Sequence, residues 1–128
     1  MPGKVLIVDD DPDFLFVSRT VLEARGYQVL TATNGRQALE GIRRDRPDLV
    51  LLDMMLSTTS EGLDVGQEIK ADPNLAGIPV VLISSIAASE YAASIPAGEQ
   101  VAVDAWLSKP IQPALLLKTV RQFMAPER

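Results

Sequence analysis

The chain has 128 residues and a net charge of −5, and it contains no cysteine and no histidine. Its length predicts a single domain over residues 1–128 with a core of about residues 4–124. The absence of histidine and cysteine excludes a Ser-His triad, thiolate chemistry and disulfides, so any metal must be held by oxygen ligands, which favour Mg²⁺ or Mn²⁺.

The charge and the hydropathy pattern also limit the partners. A net negative chain is poorly suited to direct contact with nucleic acid, whose phosphates need a basic face. No apolar run is long enough to cross a bilayer, and the residues after Met1 do not read as a signal peptide. We therefore expect a cytoplasmic protein without a membrane partner, and the lack of cysteine fits a reducing compartment.

The first apolar run, Lys4–Val8, predicts a strand, and a helical pattern follows it. This helix is predicted to begin at Pro12, with Asp11 as its N-cap, and to stop at Gly26. Its apolar residues recur at helical spacing: Phe14, Val17 and Val21, with Leu22 beside them.

Strands and helices continue to alternate along the rest of the chain. The further predicted strands are Tyr27–Ala32, Leu49–Leu52, Val80–Ile83 and Ala105–Ser108. The further predicted helices start at Asn34-Gly35 and end before Pro47-Asp48, then cover Gly62–Lys70, Ala87–Ser94 and Gln112–Met124. In the last helix we expect Leu116, Val120 and Phe123 to face inward, flanked by Leu117 and Met124.

The strands are continuous apolar runs, which is typical of strands covered on both faces. We therefore predict an α/β fold, a five-stranded doubly wound parallel sheet with helices on both faces and the flavodoxin-like order 2-1-3-4-5. In such sheets ligands bind beyond the carboxyl ends of the strands.

Polar residues stand where four of the predicted strands end. They are Asp9-Asp10-Asp11, Asp53, Ser84-Ser85 and Ser108-Lys109-Pro110. Because the carboxyl ends of parallel strands meet at one edge of the sheet, we expect carboxylates, a hydroxyl and an ammonium to share one small site.

These motifs together, each at a strand end and in this order, resemble the receiver domain of bacterial two-component response regulators, in a stand-alone form. The matching segments are Val8-Asp9-Asp10, Leu51-Leu52-Asp53-Met54-Met55, Ile83-Ser84-Ser85 and Ser108-Lys109-Pro110. The resemblance implies phosphoryl transfer from a sensor histidine kinase or a histidine phosphotransfer protein. It also implies a switch in contacts with an unknown downstream protein, in signal transduction or phosphorelay.

The resemblance assigns a role to each acidic residue. Asp53 would be the nucleophile that takes the phosphoryl group and forms an acyl phosphate. Asp10, Asp53 and the backbone carbonyl of Met55 would ligate Mg²⁺ (or Mn²⁺), and Asp9 would act mainly through water. Taken alone, Asp53 could instead be a strand-end aspartate that caps the following helix.

The remaining residues of the site carry charge and signal. Lys109 would bind a phosphoryl oxygen, and Ser84 would donate a hydrogen bond to the phosphoryl group once it has formed. Trp106 matches the aromatic residue that turns inward with this hydroxyl, although the family more often has Tyr or Phe there. A plain core or interface tryptophan is the alternative for Trp106.

The chain departs from the family in the loop after Asp53, where Ser57 replaces a common proline and one residue is added before Gly62. This departure leaves open a receiver-like interaction domain that acts without phosphorylation. An aspartate-nucleophile phosphatase would need a second acid where Met55 stands, and a nucleotide-binding domain would need a glycine-rich loop after the first strand. We therefore expect a signalling switch that catalyses only its own phosphorylation and dephosphorylation.

Overall fold

The computed structural model describes residues 3–53, 61–84, 105–108 and 111–124. The strands are β1 Lys4–Val8, β2 Gln28–Ala32, β3 Leu49–Asp53, β4 Val80–Ser84 and β5 Ala105–Ser108. The helices are α1 Pro12–Glu23, α2 Gly35–Asp45, α3 Glu61–Ala71 and α4 Pro113–Phe123. The predicted helix Ala87–Ser94 lies outside the described residues, and the other predicted elements are confirmed to within a residue or two at most ends.

The strands form one parallel sheet in the order β2-β1-β3-β4-β5, as predicted. Val8 is in register with Leu52 of β3, and Asp53 is in register with Ile83 of β4. The carboxyl ends of the three central strands are therefore level with one another, and the residues that follow them are brought to one place.

Helices cover both faces of the sheet and bury the strand side chains on each face. The face toward α2 and α3 buries Leu6, Val8, Val50, Leu52, Val80 and Leu82 with Ala38, Ile42, Val65 and Ile69. The face toward α1 and α4 buries Val5, Ile7, Leu49, Leu51, Val81 and Ile83 with Leu22, Leu116 and Val120. Burial on both faces explains why the central strands β1, β3 and β4 are mostly apolar, whereas the edge strand β2 contains the exposed Gln28 and Thr31.

Helix α1 begins as predicted but faces the core differently. Asp11 is the N-cap, and its side chain accepts a hydrogen bond from the backbone N–H of Asp13 at 3.0 Å. Ser18 and Leu22 are buried against the sheet, whereas Val17 is 55% exposed. Val17, although it recurs at helical spacing with Phe14 and Val21, does not share the buried side of α1, because Ser18 and Leu22 are four positions apart and Val17 lies about 100° around the helix from them.

Helix α2 is capped at both ends. The side chain of Asn34 accepts a hydrogen bond from the N–H of Gln37 at 2.9 Å, as expected of an N-cap. At the other end Arg46 adopts a left-handed conformation, with φ of 48°, and its N–H donates to the carbonyl of Ile42. Pro47 then prevents the helix from continuing.

Helix α4 packs through the residues predicted for it. Leu116 and Val120 are buried, and Phe123 is partly buried against the same cluster. In the part of the chain that the structure describes, no helix combines the length and apolar character needed to cross a membrane.

Candidate functional site

Three carboxylates meet at the carboxyl ends of β1 and β3. Asp9 and Asp10 follow β1 directly, and Asp53 is the last residue of β3. One carboxylate oxygen of each lies within 4.8 Å of the others. Asp9 is fully buried and Asp53 is 6% exposed, whereas Asp10 is exposed at the mouth of the group. The structure thus assembles the acidic cluster that the strand ends predict.

Backbone hydrogen bonds hold Asp9 in place. Its N–H donates to the carbonyl of Ala32 at the end of β2, at 3.0 Å. Its carboxylate oxygen Oδ1 accepts from the N–H of Asp11 at 2.9 Å. Asp11 is itself fixed as the cap of α1, so the acidic turn is tied to both a strand and a helix.

The sequence did not point to the carbonyl of Ala32 or the N–H of Asp11 as parts of this support. The signal for the first is the pairing register, since β1 and β2 pair with Val8 opposite Ala32. In a parallel ladder the residue after Val8 then donates across to that carbonyl. This hydrogen bond can therefore be predicted only once the pairing register of β1 and β2 is known.

The cluster concentrates negative charge. Two carboxylates at this separation repel each other by about 1 kcal/mol in water, and by about 3–4 kcal/mol at an effective dielectric constant near 20. Burial of Asp9 and Asp53 strengthens the repulsion because less solvent screens them. A positive ion placed among the three oxygens removes this cost.

The donor set fits a hard divalent cation. Oxygen ligands of Mg²⁺ lie at about 2.0–2.1 Å from the ion, so neighbouring ligand oxygens are about 3–4 Å apart. Oxygens already within 4.8 Å of one another need only small side-chain movements to reach that spacing. Asp9 and Asp53 form the buried side of the cluster, and Asp10 faces its open side.

The other predicted site residues are placed only in part. Ser84 ends β4 one position beyond Ile83, the residue in register with Asp53, and it pairs with Ser108 of β5. The backbone at Ser84 is thus brought next to the acidic cluster. The side chains of Ser84 and Trp106, and the residues Met55 and Lys109, lie outside the described part of the structure.

Comparison with known proteins gives the same answer over the whole domain. Residues 5–121 match the sequence family of the response regulator receiver domain. The chain is 34% identical over 124 residues to the polar-differentiation response regulator DivK of Brucella anthropi, covering 97% of this chain and 98% of DivK. It is 35% identical over 121 residues to the DNA-binding response regulator MtrA of Mycolicibacterium smegmatis, covering 94% of this chain but 50% of MtrA.

The fold comparison agrees. The chemotaxis response regulator CheY4 of Vibrio cholerae superposes with a TM-score of 0.84 at 27% identity, covering 96% of this chain and 99% of CheY4. Fold, motif order and family match therefore converge. The chain belongs to the response regulator receiver domain family and has a receiver role in two-component signalling.

Proposed function

We propose that Asp53 is the phospho-acceptor of this receiver domain. The observation that carries the proposal is the cluster itself: Asp53 ends the central strand β3 with one of its oxygens within 4.8 Å of oxygens of Asp9 and Asp10. A carboxylate in this position is held in place by the sheet, and a carboxylate that attacks phosphorus forms an acyl phosphate.

The transfer is a single displacement at phosphorus. A carboxylate oxygen of Asp53 attacks the phosphorus of a phosphohistidine, and a new O–P bond forms. The P–N bond breaks, and the imidazole nitrogen keeps the electron pair and takes a proton from solvent. No base on this chain is needed, because the attacking carboxylate already carries the negative charge.

A divalent cation, Mg²⁺ or Mn²⁺, would offset the charge of the incoming phosphoryl group when bound. Asp10, Asp53 and the backbone carbonyl of Met55 would hold it, with Asp9 acting mainly through water. Lys109 would bind a second phosphoryl oxygen. These assignments rest on the motif positions and on the position of the three carboxylates.

Ser84 would donate its hydroxyl hydrogen to the phosphoryl group once Asp53 carries it, and Trp106 on β5 would respond to that change. The proposal makes the domain a switch rather than an enzyme for a metabolite. Its phosphoryl donor would be a sensor histidine kinase or a histidine phosphotransfer protein in the cytoplasm, and its output would pass to a downstream protein.

The test is labelling of the purified chain with radioactive acetyl phosphate or phosphoramidate, with and without Mg²⁺. We expect one phosphoryl group per chain in the presence of Mg²⁺ and labelling near background after chelation. Asp53→Asn should abolish the labelling. Asp13→Asn, which removes the same charge from an exposed position in the first turn of α1, should leave the labelling intact.

Undiminished labelling of Asp53→Asn would place the acceptor elsewhere. No labelling of the folded wild type by either donor, or by any histidine kinase of the source genome, would favour a domain that acts without phosphorylation. The family match does not favour that second function.

A further inference from the structure

Strand β2 is an edge of the sheet, and its backbone groups alternate in direction. The N–H of Gln28 donates to the carbonyl of Gly3 at 3.1 Å, and the carbonyl of Ala32 accepts from the N–H of Asp9 at 3.0 Å. In a parallel ladder every second residue faces the same neighbour. The backbone groups of Gln28, Leu30 and Ala32 therefore face β1. Those of the two intervening residues, Val29 and Thr31, point away from the sheet.

Those two residues, Val29 and Thr31, leave a short open edge with clear limits. On one side the next outward N–H belongs to Tyr27 and donates to a carbonyl within α1 at 3.2 Å. On the other side the N–H of Thr33 donates to the side chain of Gln37 at 2.9 Å. Among the described residues, none pairs with the outward backbone groups of Val29 and Thr31.

A groove of about 230 Å³ lies along the same edge, between β2 and α2. Leu30 and Gly41 are part of its lining, together with Leu6, Thr31, Gln37, Glu40, Arg44 and Asp45. A Cβ atom added to Gly41 would meet nothing within 4 Å, so the absence of a side chain there keeps the groove open. The half-buried Leu30 therefore has free space beside it.

Charges along this edge are balanced. Arg36 pairs with Glu40 at 3.3 Å, and Arg44 pairs with Asp45 at 3.0 Å. Each pair is internal to α2, so no unpaired charge of one sign dominates the rim of the groove. A second surface of the same kind can approach without strong repulsion between like charges.

We propose that this edge binds β2 of a second copy of the chain, antiparallel and related by a two-fold axis at Leu30. The open groups are placed symmetrically about Leu30, with Val29 before it and Thr31 after it, and the edge is closed at equal distances on either side. Val29 of one copy and the partner's Thr31 then exchange two hydrogen bonds, and symmetry repeats them. Four backbone hydrogen bonds join the two sheets.

The two-fold axis also determines which side chains meet across the interface. Leu30 and the partner's Leu30 form a pair without hydrogen bonds, in which side chains lie closest, and both stand on the face that carries the groove. An unrelated extended peptide needs none of this symmetry, so the observations favour a second copy. The acidic cluster stays accessible, because Asp53 lies two strands away from the paired edge.

Single cysteines test the register, since the chain has no cysteine of its own. Leu30→Cys places two thiols across the axis, with Cα atoms about 4.5 Å apart, which suits a disulfide. Thr31→Cys is the matched control. Thr31 lies opposite the partner's Val29, so the two cysteines at position 31 are offset by two residues, with Cα atoms about 8–9 Å apart, too far for a disulfide.

Under mild oxidation we expect Leu30→Cys to form covalent dimers about ten-fold faster than Thr31→Cys. Random collision gives the opposite order, because Thr31 is exposed and Leu30 is half-buried. Equal rates, or faster cross-linking of Thr31→Cys, would overturn the proposal.

Sedimentation equilibrium up to about 1 mM protein supplies an independent measurement. We expect the wild type to dimerise reversibly and Thr31→Val to match it. Thr31→Pro removes only an outward N–H, so it spares the pairing with β1, but the dimer loses two of its four hydrogen bonds and its dissociation constant rises about ten-fold or more. A wild type that stays monomeric, or a Thr31→Pro variant that associates as strongly as the wild type, contradicts the proposal. If Thr31→Pro does not fold, the comparison of Leu30→Cys with Thr31→Cys decides.

Discussion

At the scale of single residues, Asp9 and Asp53 stand out as charged groups at the carboxyl ends of the buried strands β1 and β3. Asp9 is fully buried and Asp53 nearly so. Burial of a carboxylate is costly unless hydrogen bonds or a counter-ion compensate it. The backbone N–H of Asp11 compensates the carboxylate of Asp9 in part, and the mutual repulsion of the cluster leaves a stabilising role for a cation.

Mg²⁺ should therefore raise the thermal stability of the wild type more than that of Asp53→Asn. Binding at a free concentration ten times its Kd stabilises the fold by roughly 1.4 kcal/mol, which raises Tm by about 3–5 °C. Asp53→Asn removes one of the proposed ligands, so we expect less than half of this rise. Calorimetric scans with and without Mg²⁺ measure it.

Glu40→Gln is the control for charge alone, because it removes one negative charge from an exposed side chain of α2. It should keep the full Mg²⁺ effect. If Asp53→Asn and the wild type respond equally to Mg²⁺, the cation binds somewhere other than the acidic cluster.

Asp11 has a different task from its acidic neighbours, since its side chain caps α1. Asp11→Ala should lower the free energy of unfolding by about 1 kcal/mol, because an orphan N–H of the first turn loses its acceptor. Urea denaturation measures the change. Asp11→Asn keeps an acceptor oxygen and should lose little. A loss as large for Asn as for Ala would mean that the charge of Asp11, not its hydrogen bond, supports the helix.

At the scale of elements, α2 contains a glycine that its packing does not require. Gly41→Ala should stabilise the protein by about 1 kcal/mol, because alanine loses less backbone entropy in a helix and its methyl group meets nothing within 4 Å. Gly26→Ala should have the opposite sign, since Gly26 has φ of 91°, where a side chain is strained. Thermal unfolding of the two variants checks the pair, and a destabilised Gly41→Ala would show that α2 has no room there.

The elements themselves were predictable because their signals are local. Apolar runs gave the strands, and Asp11, Pro12, Asn34 and Gly26 marked helix ends by their own backbone and side-chain preferences. The exposed side of α1 was not predictable from spacing, because the placement of Val17 depends on the angle at which the helix meets the sheet. The left-handed conformation of Arg46 at the end of α2 was likewise not predictable, since this conformation usually falls on a glycine and none stands there.

At the scale of the whole molecule, the acidic site could be predicted because parallel topology carries distant motifs to one edge. Asp9 and Asp53 are far apart in sequence, and only the neighbouring positions of β1 and β3 bring them together. The support of Asp9 by Ala32 and the open edge of β2 could not be predicted, because both depend on which backbone groups a register leaves facing inward or outward.

The same topology determines which strands protect their backbone amides best from hydrogen exchange. β1, β3 and β4 are paired on both sides and buried on both faces, so their amides should exchange with solvent most slowly, at rates near that of global unfolding. Within β2 the pattern should alternate: in dilute protein the outward amide of Thr31 exchanges about a hundred-fold or more faster than the amide of Leu30, which faces β1. Hydrogen exchange followed by NMR resolves the two amides. Equal protection of Thr31 and Leu30 in dilute protein would mean that another part of the chain already covers this edge. Protection of Thr31 that appears only as protein concentration rises would tie the open edge to association of two copies.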